Sequence, residues 1–135
     1  MNQYGLQPIA NRLARYLGLT TTPMVEIKPV KRGLAHPKTG KVTIPEWILG
    51  VKCRRQAYQK YYVTHEVIHF RIGLKHDSEF KRVEAEVLSK LFVIRICRYY
   101  KRRWPWRPPS DLRVYPTTLV YKETWELLWE ESTKR

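Results

Sequence analysis

An α+β fold, with a short antiparallel sheet packed on one central helix and two or three further helices, follows from three observations. Apolar residues recur at helical spacing in long stretches, and short β-branched segments bounded by glycine and proline lie between Met24 and Ile44. A length of 135 residues supplies one hydrophobic core and too little chain for two, so a single domain over 1–135 is expected.

The elements follow in order. Residues 7–18 place Ile9, Leu13, Tyr16 and Leu17 at spacings of three and four, with Arg12 and Arg15 opposite and Gly18 as the stop. Val25 and Ile27, between Pro23 and Pro29, predict a short edge strand over Met24 to Val30. Leu34 to Ile44 reads as a hairpin turning at Pro37 to Gly40, with His36 exposed in the turn. From Gln56 to Ile72 apolar residues cover most of a helical circumference, which predicts a helix buried at the centre and ended by Gly73. A second long helix is predicted from Ser78 to Arg103, its stripe formed by Phe80, Val83, Val87, Leu88, Leu91, Ile94 and Cys97. The tail 118–131 reads as a further helix, although Thr117 to Tyr121 alone suits a strand.

Composition excludes several classes. Hydrophobic residues at 43% and aromatics at 13% rule out a disordered tail. No apolar run has the length of a membrane span, and the first twenty residues lack the apolar centre of a secretory signal, so a cytoplasmic, non-membrane protein is expected. Cys53 and Cys97 can form neither a disulfide framework nor a four-cysteine zinc site, and they read as small core residues.

Chemistry is carried by His65-Glu66-Val67-Ile68-His69 inside the predicted central helix. Histidines four apart on a helix point the same way and make two ligands of one metal ion. Glu66 stands beside the ion rather than on it, where it can deprotonate a water on the metal as a general base. A catalytic Zn2+ takes three protein ligands and keeps one position open. His76, beyond the turn at Gly73-Leu74-Lys75, is the expected third, with Glu84 or Glu86 as the rival that would give a His2Glu site. Asp77, Glu84 and Glu86 are otherwise candidates to accept the ring N–H of a ligating histidine.

The segment HEVIHFRIGLKHDSEF, His65 to Phe80, resembles the active-site region of the SprT/spartan-like and WLM (Wss1-like) zinc metallopeptidases. His65, His69 and His76 match the ligands of those families, Glu66 the base, and Asp77 with Phe80 the continuation. Upstream, GKVTIPEWIL at Gly40 to Leu49 is similar to the strand and connection before their active-site helix. The resemblance covers roughly 40–85 and implies a minimal zincin-like domain, an endopeptidase activity and substrates associated with DNA. The spacing from His69 to His76 is one residue longer than in the commonest WLM pattern, and the cysteine zinc ribbon frequent in SprT proteins is absent.

Twenty-six Lys and Arg against twelve Asp and Glu leave a net charge of +14, which attracts polyanions in a salt-dependent way. Over 95–113 seven basic residues face one acid and are interleaved with Tyr99, Tyr100, Trp104 and Trp106. Such a mixture suits backbone neutralisation with base stacking, and Arg102, Arg103, Trp104, Trp106 and Arg107 are the expected contacts to DNA or RNA. The residues point to two functions: a zinc-dependent endopeptidase acting on nucleic-acid-associated proteins, or a nucleic-acid-binding protein that retains the fold with little or no peptidase activity. Tyr115 and Tyr121 are candidates for stabilising an oxyanion, and the strand around Lys41 to Ile44 is the expected partner of an extended substrate. The oligomeric state leaves no trace in the sequence.

Overall fold

The computed structural model describes residues 5–50, 55–97 and 117–120. Among them the order is α1 (Leu6–Leu17), β1 (Met24–Lys28), β2 (Leu34–His36), β3 (Lys41–Pro45), a 3-10 turn (Glu46–Gly50), α2 (Arg55–Ile72), α3 (Ser78–Val87), a π turn (Leu88–Phe92), β4 (Ile94–Cys97) and β5 (Thr117–Val120). This is a small α+β architecture with three α-helices around a mixed three-stranded sheet. A separate pair, β4 and β5, runs parallel.

Helix α1 ends as its glycine predicts: Gly18 takes a left-handed conformation and its N–H bonds to Arg15 O. The face it buries is rotated from the expected one. Leu6, Ala10, Leu13 and Ala14 enter the core, Ile9 and Leu17 lie at its margin, and Tyr16 is exposed. Gln7 ties α1 to β1 by donating to Pro23 O (2.9 Å) and accepting from Val25 N–H (2.8 Å).

The hairpin forms as predicted, with β2 antiparallel to β3 and the turn closed by Thr39 and Gly40 N–H bonds to His36 O. His36 belongs to β2, half-buried beside Thr43, rather than to an exposed turn. The sheet itself differs from expectation. Its order is β1-β3-β2, with β1 parallel to β3, so it is mixed rather than antiparallel. The segment between β1 and β2 is long enough to carry the chain past β3, which leaves β3 central and fully flanked. An extended substrate therefore cannot pair with Lys41 to Ile44, because both sides of that strand are taken.

Helix α2 is buried on all sides: every residue from Tyr61 to His69 lies in the interior. Trp47 closes one flank, packing edge-on against Tyr62 at 6.0 Å between centroids and donating to Lys31 O (2.8 Å). The second long helix predicted to run to Arg103 ends early. α3 stops at Val87, the π turn follows, Val93 adopts a left-handed φ of 56°, and the chain continues as β4. Apolar spacing alone does not distinguish a helix from a helix that breaks into a buried strand. Thr117–Val120 is a strand, and the rest of the helical tail expected over 118–131 lies outside the described residues.

Candidate metal centre

The i, i+4 pair on α2 behaves as helical geometry requires. His65 and His69 project from one face, both buried, and the loop after α2 returns the exposed His76 onto them. The ligand-capable nitrogens of the three lie within 4.8 Å of one another. His76 Nε2 is 3.0 Å from His65 Nε2 and 3.1 Å from His69 Nε2. Three imidazoles bound tetrahedrally at 2.0–2.1 Å would hold their nitrogens about 3.3 Å apart, so the observed spacing suits one ion.

The loop is built by glycine. Gly73, at φ 112°, donates its N–H to His69 O (3.0 Å) to close the helix, and its carbonyl turns back to accept from His69 Nδ1 (2.8 Å). On the other histidine the Glu84 carboxylate receives His65 Nδ1 at 2.5 Å. Each Nδ1 faces an acceptor and therefore carries the hydrogen, which turns the Nε2 lone pairs of His65 and His69 inward. Lone pairs converging on one another are mutually repulsive, and a cation at the point of convergence satisfies them. The donor set fits a divalent transition metal, for which imidazole is a good ligand.

Phe80 forms the apolar wall. Its ring centroid lies 4.8, 4.7 and 5.1 Å from those of His65, His69 and His76, and the side chain is buried. Asp77 stands at the N-terminus of α3 and accepts from Phe80 N–H (3.0 Å), so it caps the helix rather than holding a histidine ring. Glu84 sits behind His65, on the Nδ1 side of the ring, away from the converging Nε2 atoms. Glu86 points outward to Lys90 (3.0 Å) and Arg82 (3.5 Å). The Lys90 hydrogen bond holds the Glu86 carboxyl below the ordinary range. The structure thus assembles the histidine trio and leaves the two glutamate alternatives elsewhere.

Glu66 is buried, with Oε1 4.0 Å from His69 Nε2, beside the histidine cluster rather than within it. One turn earlier on α2, burial pushes the Tyr62 hydroxyl far above its ordinary pKa, so it stays protonated; it accepts Gly33 N–H at 2.8 Å. A side chain at Gly33 would meet Thr43 O at 2.5 Å and Tyr62 Cε1 at 2.7 Å, which is why a glycine joins the loop to β2 there. Sequence reading missed both the Tyr62 to Gly33 link and the Gly73 carbonyl, since nothing in residue spacing shows which backbone group a distant ring will meet. Arg102, Arg103, Trp104, Trp106, Arg107 and Tyr115 lie outside the described residues, as does Tyr121.

No family model matches the chain, and neither the curated proteins nor the solved structures contain a match. Among the described residues no helix is long and apolar enough to cross a membrane.

Proposed function

We propose that the chain is a zinc-dependent endopeptidase of the zincin type, akin to the SprT/spartan-like and WLM metallopeptidases that His65 to Phe80 resembles. One observation carries the reading: three imidazole nitrogens converge on a point with a buried carboxylate, Glu66, beside them. His65, His69 and His76 hold the ion, and the exposed side of the cluster at His76 is where substrate and water enter. When bound, zinc supplies a Lewis acid that polarises the scissile carbonyl and makes water more acidic. Glu66 takes the proton from the attacking water and returns it to the leaving amine, a role its separation from the imidazole nitrogens leaves open. Phe80 keeps the inner side of the centre dry, and the Glu84 and Gly73 acceptors keep the two α2 imidazoles in the binding tautomer. An extended polypeptide pairs with the outer strand β2, whose link to α2 through Gly33 and Tyr62 sets its height relative to Glu66.

The test is metal uptake with cleavage of an unfolded protein. The metal-free protein should bind one equivalent of zinc and then cut the substrate, a chelator should stop the cutting, and His65→Ala should abolish both. A folded wild type that takes up no zinc rules the reading out.

A second reading, nucleic-acid binding with little or no peptidase activity, is supported by the basic balance of the chain and by two cations gathered at one aromatic ring. The Arg12 guanidinium and the Lys60 ammonium both lie over the Phe92 ring, at 5.4 and 5.5 Å from its centroid, in a chain carrying +14. Affinity for single-stranded DNA or RNA that falls steeply with salt, and that drops in an Arg102, Arg103, Arg107 triple alanine variant, supports it. Unchanged binding by that variant removes the segment from consideration.

A further inference from the structure

α3 contributes to the histidine cluster through one face. Phe80 and Glu84 are four residues apart, so on a helix they stack one above the other. Phe80 lies against all three imidazoles, and the Glu84 carboxylate meets His65 Nδ1. Asp77 starts the helix one residue after His76, so the chain moves from third imidazole to helix cap to apolar wall to carboxylate within nine residues. Burial makes a carboxylate expensive unless a donor or cation meets it, and Glu84 is only 2% exposed.

We propose that Glu84 is a positioning residue for the metal centre, its carboxylate orienting His65 and setting the strength with which that imidazole binds the ion. The inference rests on the metal-centre reading above and adds an asymmetry to it. His65 is backed by the side-chain carboxylate of Glu84 and His69 by the main-chain carbonyl of Gly73. A carboxylate raises the basicity of the imidazole it receives more than an amide carbonyl does, so His65 is the stronger donor of the two. The affinity of the site for zinc therefore depends on a residue that never touches the metal.

The experiment is a zinc competition titration of the full chain against a chromophoric chelator, paired with the visible spectrum of the cobalt-substituted protein. Three variants are compared with wild type. Glu84→Gln keeps an oxygen to accept the Nδ1 hydrogen but removes the charge; Glu84→Ala removes both; Glu86→Gln removes a charge from the exposed face of the same helix. Zinc affinity should fall about tenfold in Glu84→Gln and up to about a hundredfold in Glu84→Ala, with a shifted cobalt spectrum. Glu86→Gln should match wild type in both readouts. Wild-type affinity and an unchanged cobalt spectrum in Glu84→Gln overturn the assignment, as does an equal loss in Glu86→Gln, which would make the effect one of general charge. Because the glutamine variant is nearly isosteric, the question stays decidable even where the alanine variant fails to fold. Absence of zinc uptake by folded wild type would instead remove the metal-centre reading itself.

Discussion

Helices α2 and α3 meet at the histidine cluster but reach it in opposite ways. α2 is enclosed by α1, the sheet, Trp47 and α3, so its polar side chains at His65, Glu66 and His69 are held by surroundings on every side. α3 is amphipathic and half-exposed: Phe80, Glu84 and Val87 face inward while Glu79, Lys81, Arg82 and Glu86 face solvent. It begins on a side-chain cap and ends in a π turn with a left-handed valine. The difference teaches that two of the three clustered histidines and the buried Glu66 sit on the enclosed helix, whereas the third histidine precedes a helix that is half-exposed.

The largest effect should come from the α2 side. Glu66→Gln preserves shape and removes the base, so zinc uptake should be unchanged while turnover of an unfolded protein substrate falls about 10²- to 10⁴-fold. Equal turnover in that variant would break the assignment of chemistry to α2. On the α3 side, Phe80→Ala removes the wall shared by all three imidazoles. Urea unfolding of the metal-free protein should show a loss of about 3 to 5 kcal/mol, the usual cost of emptying a buried phenylalanine site.

The ends of α3 give smaller and opposite changes. Asp77→Ala deletes the cap and should cost about 1 kcal/mol of stability while loosening the loop that carries His76, read as weaker zinc binding with an unchanged cobalt geometry. Val93→Asn should stabilise by about 1 kcal/mol, because asparagine tolerates the left-handed conformation that a β-branched residue resists. A lower melting temperature for Val93→Asn would show that the valine side chain makes a contact worth more than the strain. Least of all should be Glu86→Gln. Lys90 holds the Glu86 carboxyl below its ordinary value, so the pair's contribution is present above the unfolded pKa and lost as pH falls through the folded one. Solvent at the surface screens it, and thermal melts of the variant and wild type should coincide at neutral pH and at high salt.

Two carboxylates on α3 mark the limit of what spacing can reveal. Glu84 and Glu86 were equivalent candidates in the sequence, both on a predicted helix after His76, yet one is buried behind His65 and the other exposed beside Lys90. Residues two positions apart on a helix, as Glu84 and Glu86 are, differ by about 200° in direction, so burying one turns the other outward, but which one is buried depends on where α3 docks. The same holds for Tyr16, which the apolar stripe of α1 includes and which is exposed, while Ala10 and Ala14 are buried.

The central helix, its glycine stop, the hairpin and the pairing of His65 with His69 were determined by the sequence itself, because each rests on local rules. These are helical periodicity, the left-handed tolerance of glycine, turn chemistry and the i, i+4 geometry of one helix face. Tertiary structure alone decided that β1 runs parallel to β3, that the helix after His76 breaks at the π turn, and that Gly73 and Glu84 supply the acceptors for the two imidazoles. Those outcomes join residues distant in space, or weigh a local helix against burial elsewhere. Side-chain spacing along a chain carries no record of which surface will be free to receive it.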